Sequence, residues 1–216
     1  MNPIDNDMLT PETTAMVKVW DWPVRVFHWT LVASVMGAYF TGEAEDYELL
    51  HETLGWVAAG LIAFRLVWGL IGTRYARFTE FVRGPAQLWS YVKSLRSDQP
   101  QHFVGHNPVG AVAVMVLMSL TVLSVYTGWL LTADDAAEWL EEAHEIAVNT
   151  LITLVLVHVI AVVWSSRTHG ENLLKAMLTG RKTAPSETGI RRNWGVLGLA
   201  VLLAVVCGVA VARLVI

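Results

Sequence analysis

Apolar residues along this chain gather into five long runs separated by polar connections. The runs cover about Val24 to Phe40, His51 to Ile71, Pro108 to Leu131, His144 to Ser165 and Trp194 to Ile216. Each reaches or approaches the roughly 20 residues that a helix needs to cross a hydrocarbon core. In lipid such a segment must satisfy its own backbone polar groups, which a helix does locally. The pattern therefore predicts an all-α integral membrane protein with five transmembrane helices, the fifth at the C-terminus. Ahead of the first run, residues 1–17 are polar and acidic and lack the basic start and small-residue cleavage site of a signal peptide, so they read as a disordered tail. The expected division is that tail at 1–17, a helical core at 18–182, and a linker with the fifth helix at 183–216.

The connections give the orientation. Arg74, Arg77, Arg83, Lys93 and Arg96 follow the second run, and Arg167, Lys175, Arg181, Lys182, Arg191 and Arg192 follow the fourth. The opposite connections are acidic, with Glu43, Glu45, Asp46 and Glu48 in one and Asp134, Asp135, Glu138, Glu141 and Glu142 in the other. Lys and Arg collect on the cytoplasmic side, so the N-terminus is expected inside and the C-terminus outside. Trp20, Trp22, Trp68, Trp164 and Trp194 are expected at the inner interface, and Trp129 and Trp139 near the outer one, as an aromatic belt.

Composition narrows the chemistry. Of 216 residues, 54% are hydrophobic and 16% charged, a balance unusual for a soluble domain. The net charge of −4 gives no sign of a nucleic-acid partner. The single cysteine, Cys207, excludes an internal disulfide, a cysteine-ligated iron–sulfur cluster and a covalently attached CxxCH heme.

Ionisable side chains inside a membrane segment are costly and point to function. The fourth run carries His144 and His158, fourteen positions apart. That is close to four turns, so both rings leave one helix face, roughly 21 Å apart along the axis. His28 enters early in the first run, at inner depth, and His51 opens the second, at outer depth. Depth alone pairs His28 with His158 and His51 with His144. One histidine in a membrane helix is as often a packing or proton-relay residue as a ligand, whereas four at two matched depths favour ligands. Two imidazoles with no carboxylate or thiolate at the same depth suit a heme iron with both axial positions filled, whereas zinc usually takes four ligands. Such an iron does outer-sphere electron transfer. Arg25 shares the face of His28, and Arg65 lies at inner depth on the face of His51. Both are placed to pair with propionates of an inner heme or, on the blander reading, to snorkel toward headgroups. His102, His106 and His169 fall in or beside the basic connections and are expected to be solvated or to touch headgroups.

Several motifs then occur in order: Val19-Trp-Asp-Trp-Pro-Val-Arg-Val-Phe-His-Trp29, His51-Glu-Thr-Leu-Gly-Trp56, Phe64-Arg-Leu-Val-Trp-Gly-Leu-Ile-Gly72, Gly105-His-Asn-Pro-Val-Gly110, His144-Glu followed by His158, and His169-Gly-Glu-Asn-Leu173 leading to Gly180-Arg-Lys182. Across Trp20 to Lys182 the chain resembles the prokaryotic cytochrome b561 family, which includes b-type cytochrome subunits of nickel–iron hydrogenases. The resemblance implies two b hemes in a four-helix bundle of a bacterial inner membrane, with electrons exchanged between quinone and a redox partner. The leading expectation is a subunit linking the quinone pool to a periplasmic c-type cytochrome or other redox protein. The acidic outer connections would attract a basic partner. The alternatives are a hydrogenase-type membrane anchor subunit, a superoxide:quinone oxidoreductase, whose anionic substrate those carboxylates would repel, and a non-redox anchor for a soluble partner. The fifth run departs from the four-helix core and is expected to be an anchor or a docking helix.

Overall fold

The computed structural model describes residues 13–215 except 98, 134, 192 and 193. Residues 1–12 of the expected tail, Asp134, Arg192 and Ile216 lie outside the described residues.

The chain opens with strand β1 (Thr14–Lys18) and helix α1 (Trp22–Thr41), then runs through α2 (Glu48–Ile71) and two short helices, α3 (Phe78–Phe81) and α4 (Pro85–Ser94). Next come α5 (Pro108–Leu130), α6 (Trp139–Thr168), the short α7 (Leu173–Thr179), strand β2 (Arg181–Pro185) and α8 (Gly195–Val215). The chain is thus mostly helical. Among the described residues, three helices are long and apolar enough to cross a membrane: α2 with its lead-in turn, α5 and α6. Helix α1, of 20 residues, is of similar length, but Arg25, His28, Trp22 and Trp29 dilute its hydropathy.

Helix α1 packs on α2, α2 on α5, and α5 on α6. Helix α8 lies against α1 and α2. Two glycines allow that approach: a Cβ at Gly60 would come within 2.6 Å of Val205 Cγ1, and one at Gly198 within 2.2 Å of the Pro23 ring. Trp194, just ahead of α8, meets Trp68 edge-on at 5.9 Å between ring centres. The fifth apolar run is therefore packed into the α1–α2 side of the bundle.

One end of the bundle carries a cap that hydropathy does not reveal. Strand β1 pairs antiparallel with β2, from Thr14 opposite Pro185 to Lys18 opposite Arg181. Residues 14–17, expected as disordered tail, are thus strand, and the expected core boundary at 182 falls inside β2. Alternate side chains of β2, Lys182 and Ala184, turn inward and are buried, and β1 adds the buried Val17. Gly180 closes α7 in the left-handed region at φ 77°, which favours glycine. Its carbonyl accepts hydrogen bonds from Val19 and Trp20 N–H at 2.8 and 3.1 Å, tying the start of α1 to the end of α7.

Asp21 is the hub of this end and is fully buried. It caps α1 by accepting from Val24 N–H at 2.8 Å, with Pro23 in the first turn where a missing N–H costs nothing. Its other oxygen accepts from Trp68 Nε1 at 3.0 Å and Thr73 Oγ1 at 2.8 Å. One carboxylate thus joins the N-terminus of α1 to the C-terminus of α2. Two tryptophans expected in the interfacial belt, Trp20 and Trp68, are core residues here, because this polar hub and the β-cap cover them. Trp22, Trp129, Trp139 and Trp164 are exposed, in keeping with a belt position.

Candidate functional site

Four histidines project from α1, α2 and, twice, α6 into the bundle at two levels. At the acidic end, His51 stands in the first turn of α2 and His144 in the second turn of α6. Their ring centres are 6.2 Å apart, with planes at 81°. An imidazole binds a metal through one nitrogen at about 2.0–2.1 Å, so two rings sharing one central metal from opposite sides have centres roughly 6 Å apart. The observed spacing fits that arrangement.

The orientation of each ring is set from behind. His51 Nδ1 lies 2.9 Å from the Ala38 carbonyl of α1, which fixes a proton on Nδ1 because a carbonyl only accepts. His144 Nδ1 lies 3.0 Å from Thr127 Oγ1 of α5. With both Nδ1 atoms engaged, the Nε2 atoms are the ones that could bind a metal, the arrangement that orients a histidine ligand. Glycines make the close approach feasible. A Cβ at Gly128 would stand 3.0 Å from His144 Cε1, and one at Gly42 3.3 Å from His51 Cε1. At Gly55, one turn past His51, a Cβ would meet no atom within 4 Å, which leaves space beside the ring.

At the basic end, His28 of α1 and His158 of α6 lie within electrostatic range of each other. His28 Nδ1 is enclosed without a hydrogen-bond partner among the described residues. Beside them stands His106, which the sequence placed in a solvated connection. The structure corrects this: its ring is held between Trp20 and Phe81, at 4.7 and 4.6 Å between centres, and its Nδ1 is enclosed and unpartnered among the described residues. The connection carrying it folds back over the bundle end, because Asn107 caps α5 by accepting from Gly110 N–H at 2.7 Å and Pro108 starts that helix. Burial pushes the His106 imidazolium down to about 3, and the Arg65 guanidinium and Lys182 ammonium act in the same direction. His106 is neutral at physiological pH.

The two arginines separate. Arg65, 3% exposed, lies over Phe78 at 4.8 Å with one terminal nitrogen enclosed and unpartnered among the described residues, and interacts electrostatically with both Asp21 and His106. Arg25 is turned outward. Its guanidinium donates to the Met177 carbonyl at 3.2 Å and to the Leu178 carbonyl, and lies over the Trp22 ring at 4.5 Å. It holds the last carbonyls of α7 against α1.

Lys182 and Glu171 have roles that the sequence did not reveal. The Lys182 ammonium, almost sealed, donates to Glu171 Oε2 at 2.7 Å and to the Val104 carbonyl at 3.2 Å. Glu171 also pairs with His102 Nε2 at 2.8 Å. Burial pulls the Glu171 carboxyl upward, but the hydrogen bonds from His102 and Lys182 outweigh it and leave the group below its ordinary value. This pair fastens the connection at 101–107, and so His106, to β2 and to the turn ahead of α7. His169 sits beside the cluster, its ring 5.8 Å from that of His102. A cavity of about 190 Å³ opens next to it, lined by Arg74, Tyr75, Phe81, Arg83, His102 and His106 among others. Among the described residues, no group of three or more His, Cys, Asp or Glu converges to hold a bare metal ion. The paired imidazoles are suited instead to a metal that brings its own equatorial ligands.

Residues 19–180 match the family model described as prokaryotic cytochrome b561. Among curated proteins, the chain is 22% identical over 213 residues to a probable Ni/Fe-hydrogenase B-type cytochrome subunit of Rhodobacter capsulatus, covering 77% of this chain and 81% of that protein. It is 25% identical over 209 residues to the protein of that name from Azotobacter vinelandii, covering 76% and 87%. A probable Ni/Fe-hydrogenase 1 B-type cytochrome subunit of Escherichia coli is 25% identical over 143 residues, covering 55% and 61%. No solved structure matches the chain.

Proposed function

This chain belongs to the prokaryotic cytochrome b561 family, and from that premise we propose that it carries electrons across a bacterial inner membrane through two b hemes, each held by two histidines. The observation that carries the proposal is the His51–His144 pair: two rings 6.2 Å apart, close enough that both could hold one heme, each fixed by a partner on its Nδ1 atom. His28 and His158 are the pair we assign to the second heme. A heme held by two of these imidazoles would supply one-electron outer-sphere transfer.

The surrounding residues have separate tasks on this reading. Thr127 and the Ala38 carbonyl hold the outer ligands in one tautomer and rotamer. Arg65, with an enclosed cationic nitrogen beside His106, is the group we assign to an inner propionate, whereas Arg25 keeps α7 in place. The basic end faces the cytoplasm, following the excess of Lys and Arg in its connections. The cavity at Arg74, Arg83, His102 and His106 is where we place the quinone headgroup. A quinone that gains electrons also takes up protons, and this cavity is lined by titratable residues of the basic connections, His102 and His106 among them.

At the other end, the acidic connections would raise the local concentration of a basic periplasmic redox protein such as a c-type cytochrome. A second reading, a membrane subunit of a hydrogenase, is favoured by the names of its relatives. Superoxide as the electron donor is disfavoured by the same carboxylates, which repel an anion. A redox-titrated visible spectrum of the purified protein tests the proposal. It predicts two low-spin b-type components per chain, both extractable by acid acetone. A single component, or a high-spin spectrum, would overturn it.

A further inference from the structure

Helix α6 has a second face. His144, Ala147, Leu151 and His158 share the side turned into the bundle, with Ala147 and Leu151 buried. At about 100° per residue, Glu142, Glu145, Asn149 and Thr153 lie roughly 100–180° round from His144, on the opposite side. All four are exposed. No second helix covers this side among the described residues that line it, which all belong to α6 between Glu142 and Leu154.

The depth of these residues makes them unusual. Asn149 lies about 7.5 Å past His144 along the axis and Thr153 about 13.5 Å past it, so both stand between the two histidine levels. Glu142 and Glu145 have the outer interface within reach. Asn149 does not, and an amide in hydrocarbon costs several kcal/mol unless it is hydrogen-bonded. Thr153 satisfies itself by donating to the Asn149 carbonyl at 2.8 Å. The Asn149 amide donates to Glu145 Oε1 at 3.5 Å, the long limit for such a bond, and the side chain is exposed. An amide between helices, by contrast, is a common adhesive in membranes.

We infer that this face of α6 docks a membrane helix of a different chain, one that presents amide or hydroxyl donors between the histidine levels and a basic residue at the acidic end. Charge decides against a second copy of this chain. Two copies inserted in the same orientation would set Glu142 and Glu145 against their own counterparts, whereas a Lys or Arg on a partner helix meets them favourably. The inference rests on the membrane placement of α6 proposed above and not on the heme assignment, because the stripe and the ligands occupy opposite faces.

The test uses the full heme-loaded protein, donor-labelled, in vesicles with acceptor-labelled peptides. One peptide is a leucine–alanine transmembrane helix, the second adds glutamine at mid-depth and lysine at the outer end, and the third carries glutamine with glutamate in place of lysine. The expected order of energy transfer is lysine peptide first, glutamate peptide second and plain helix last. The double variant Asn149→Leu with Thr153→Val should weaken the lysine peptide's binding roughly three- to tenfold. Glu142→Gln with Glu145→Gln should erase the preference for lysine over glutamate. Heme content, read in the same samples, should stay at the wild-type value in every variant, so a fault in the heme reading is seen separately. Equal transfer to all three peptides, or binding unchanged in the double variant, would overturn the inference. So would self-association of the labelled protein that the double variant abolishes, which would assign the face to a second copy.

Discussion

Thr127 stands directly behind His144, its hydroxyl 3.0 Å from the Nδ1 atom. The same hydroxyl donates to the Leu123 carbonyl at 2.9 Å and lies 3.1 Å from the Ser124 carbonyl. It is therefore fixed by the α5 backbone before it meets the imidazole. Partners of this kind typically set metal affinity by about 10–100-fold. Thr127→Val should lower heme affinity at the outer level by about that factor and leave the inner level unchanged. Heme titration of the apoprotein, followed in the Soret region, reads both levels.

Asp21 offers a test of the fold that is independent of any cofactor. Its carboxylate accepts three hydrogen bonds in a fully buried position, from α1, α2 and the turn after α2. An amide in its place keeps the shape but loses the charge and one acceptor oxygen. Asp21→Asn should destabilise the protein by about 2–4 kcal/mol, and Trp68→Phe, which removes one donor, by about 1–3 kcal/mol. Thermal unfolding in detergent checks both, and the amide variant should melt lower.

His106 makes stability depend on acid. Its folded value, about 3, lies below the ordinary 6.5, with burial the main cause. Between those two values the unfolded chain takes up a proton that the folded chain refuses. Stability from this residue is therefore complete above about pH 6.5 and is lost as pH falls toward 3. His106→Phe, which can occupy the same aromatic slot, should flatten the acid limb of a stability–pH curve in that window. A slope equal to wild type would mean that the ring is charged in the folded protein.

Much of this was legible in the sequence. The runs at 108–131 and 51–71 match α5 and α2 within three residues at each end, since a long apolar run leaves little freedom. Helix α6 starts at Trp139, five residues ahead of the run, because Glu141 and Glu142 are polar yet well suited to a first helical turn. Depth counting brought His51 and His144 together, as the structure does, because helical rise converts sequence distance into height. What the pattern missed is polar and local. Lys182 and His106 read as solvated loop residues because their burial depends on a strand pairing between residues more than 160 positions apart. The available signals were the Asn107-Pro108 and Asp21-x-Pro23 capping pairs, which mark folded helix starts rather than loose connections.

The acidic face gives a kinetic prediction. Changing Asp134, Asp135, Glu138, Glu141 and Glu142 to amides should slow electron exchange with a basic c-type cytochrome at low salt and flatten its dependence on ionic strength. Exposed charges are screened over about 8–10 Å at physiological salt, so wild type and variant should converge as salt rises. Stopped-flow reduction at two ionic strengths measures it. Faster reaction of the variant with superoxide would favour the oxidoreductase alternative.

The pairing of the histidines is the centre of the account, and heme content of single variants tests it most directly. His28→Ala and His158→Ala should each leave one heme per chain with the same residual spectrum and potential. His51→Ala and His144→Ala should each leave the other heme, with a second, distinct spectrum. Should His28→Ala and His51→Ala leave identical residual spectra, the two-level assignment would be contradicted.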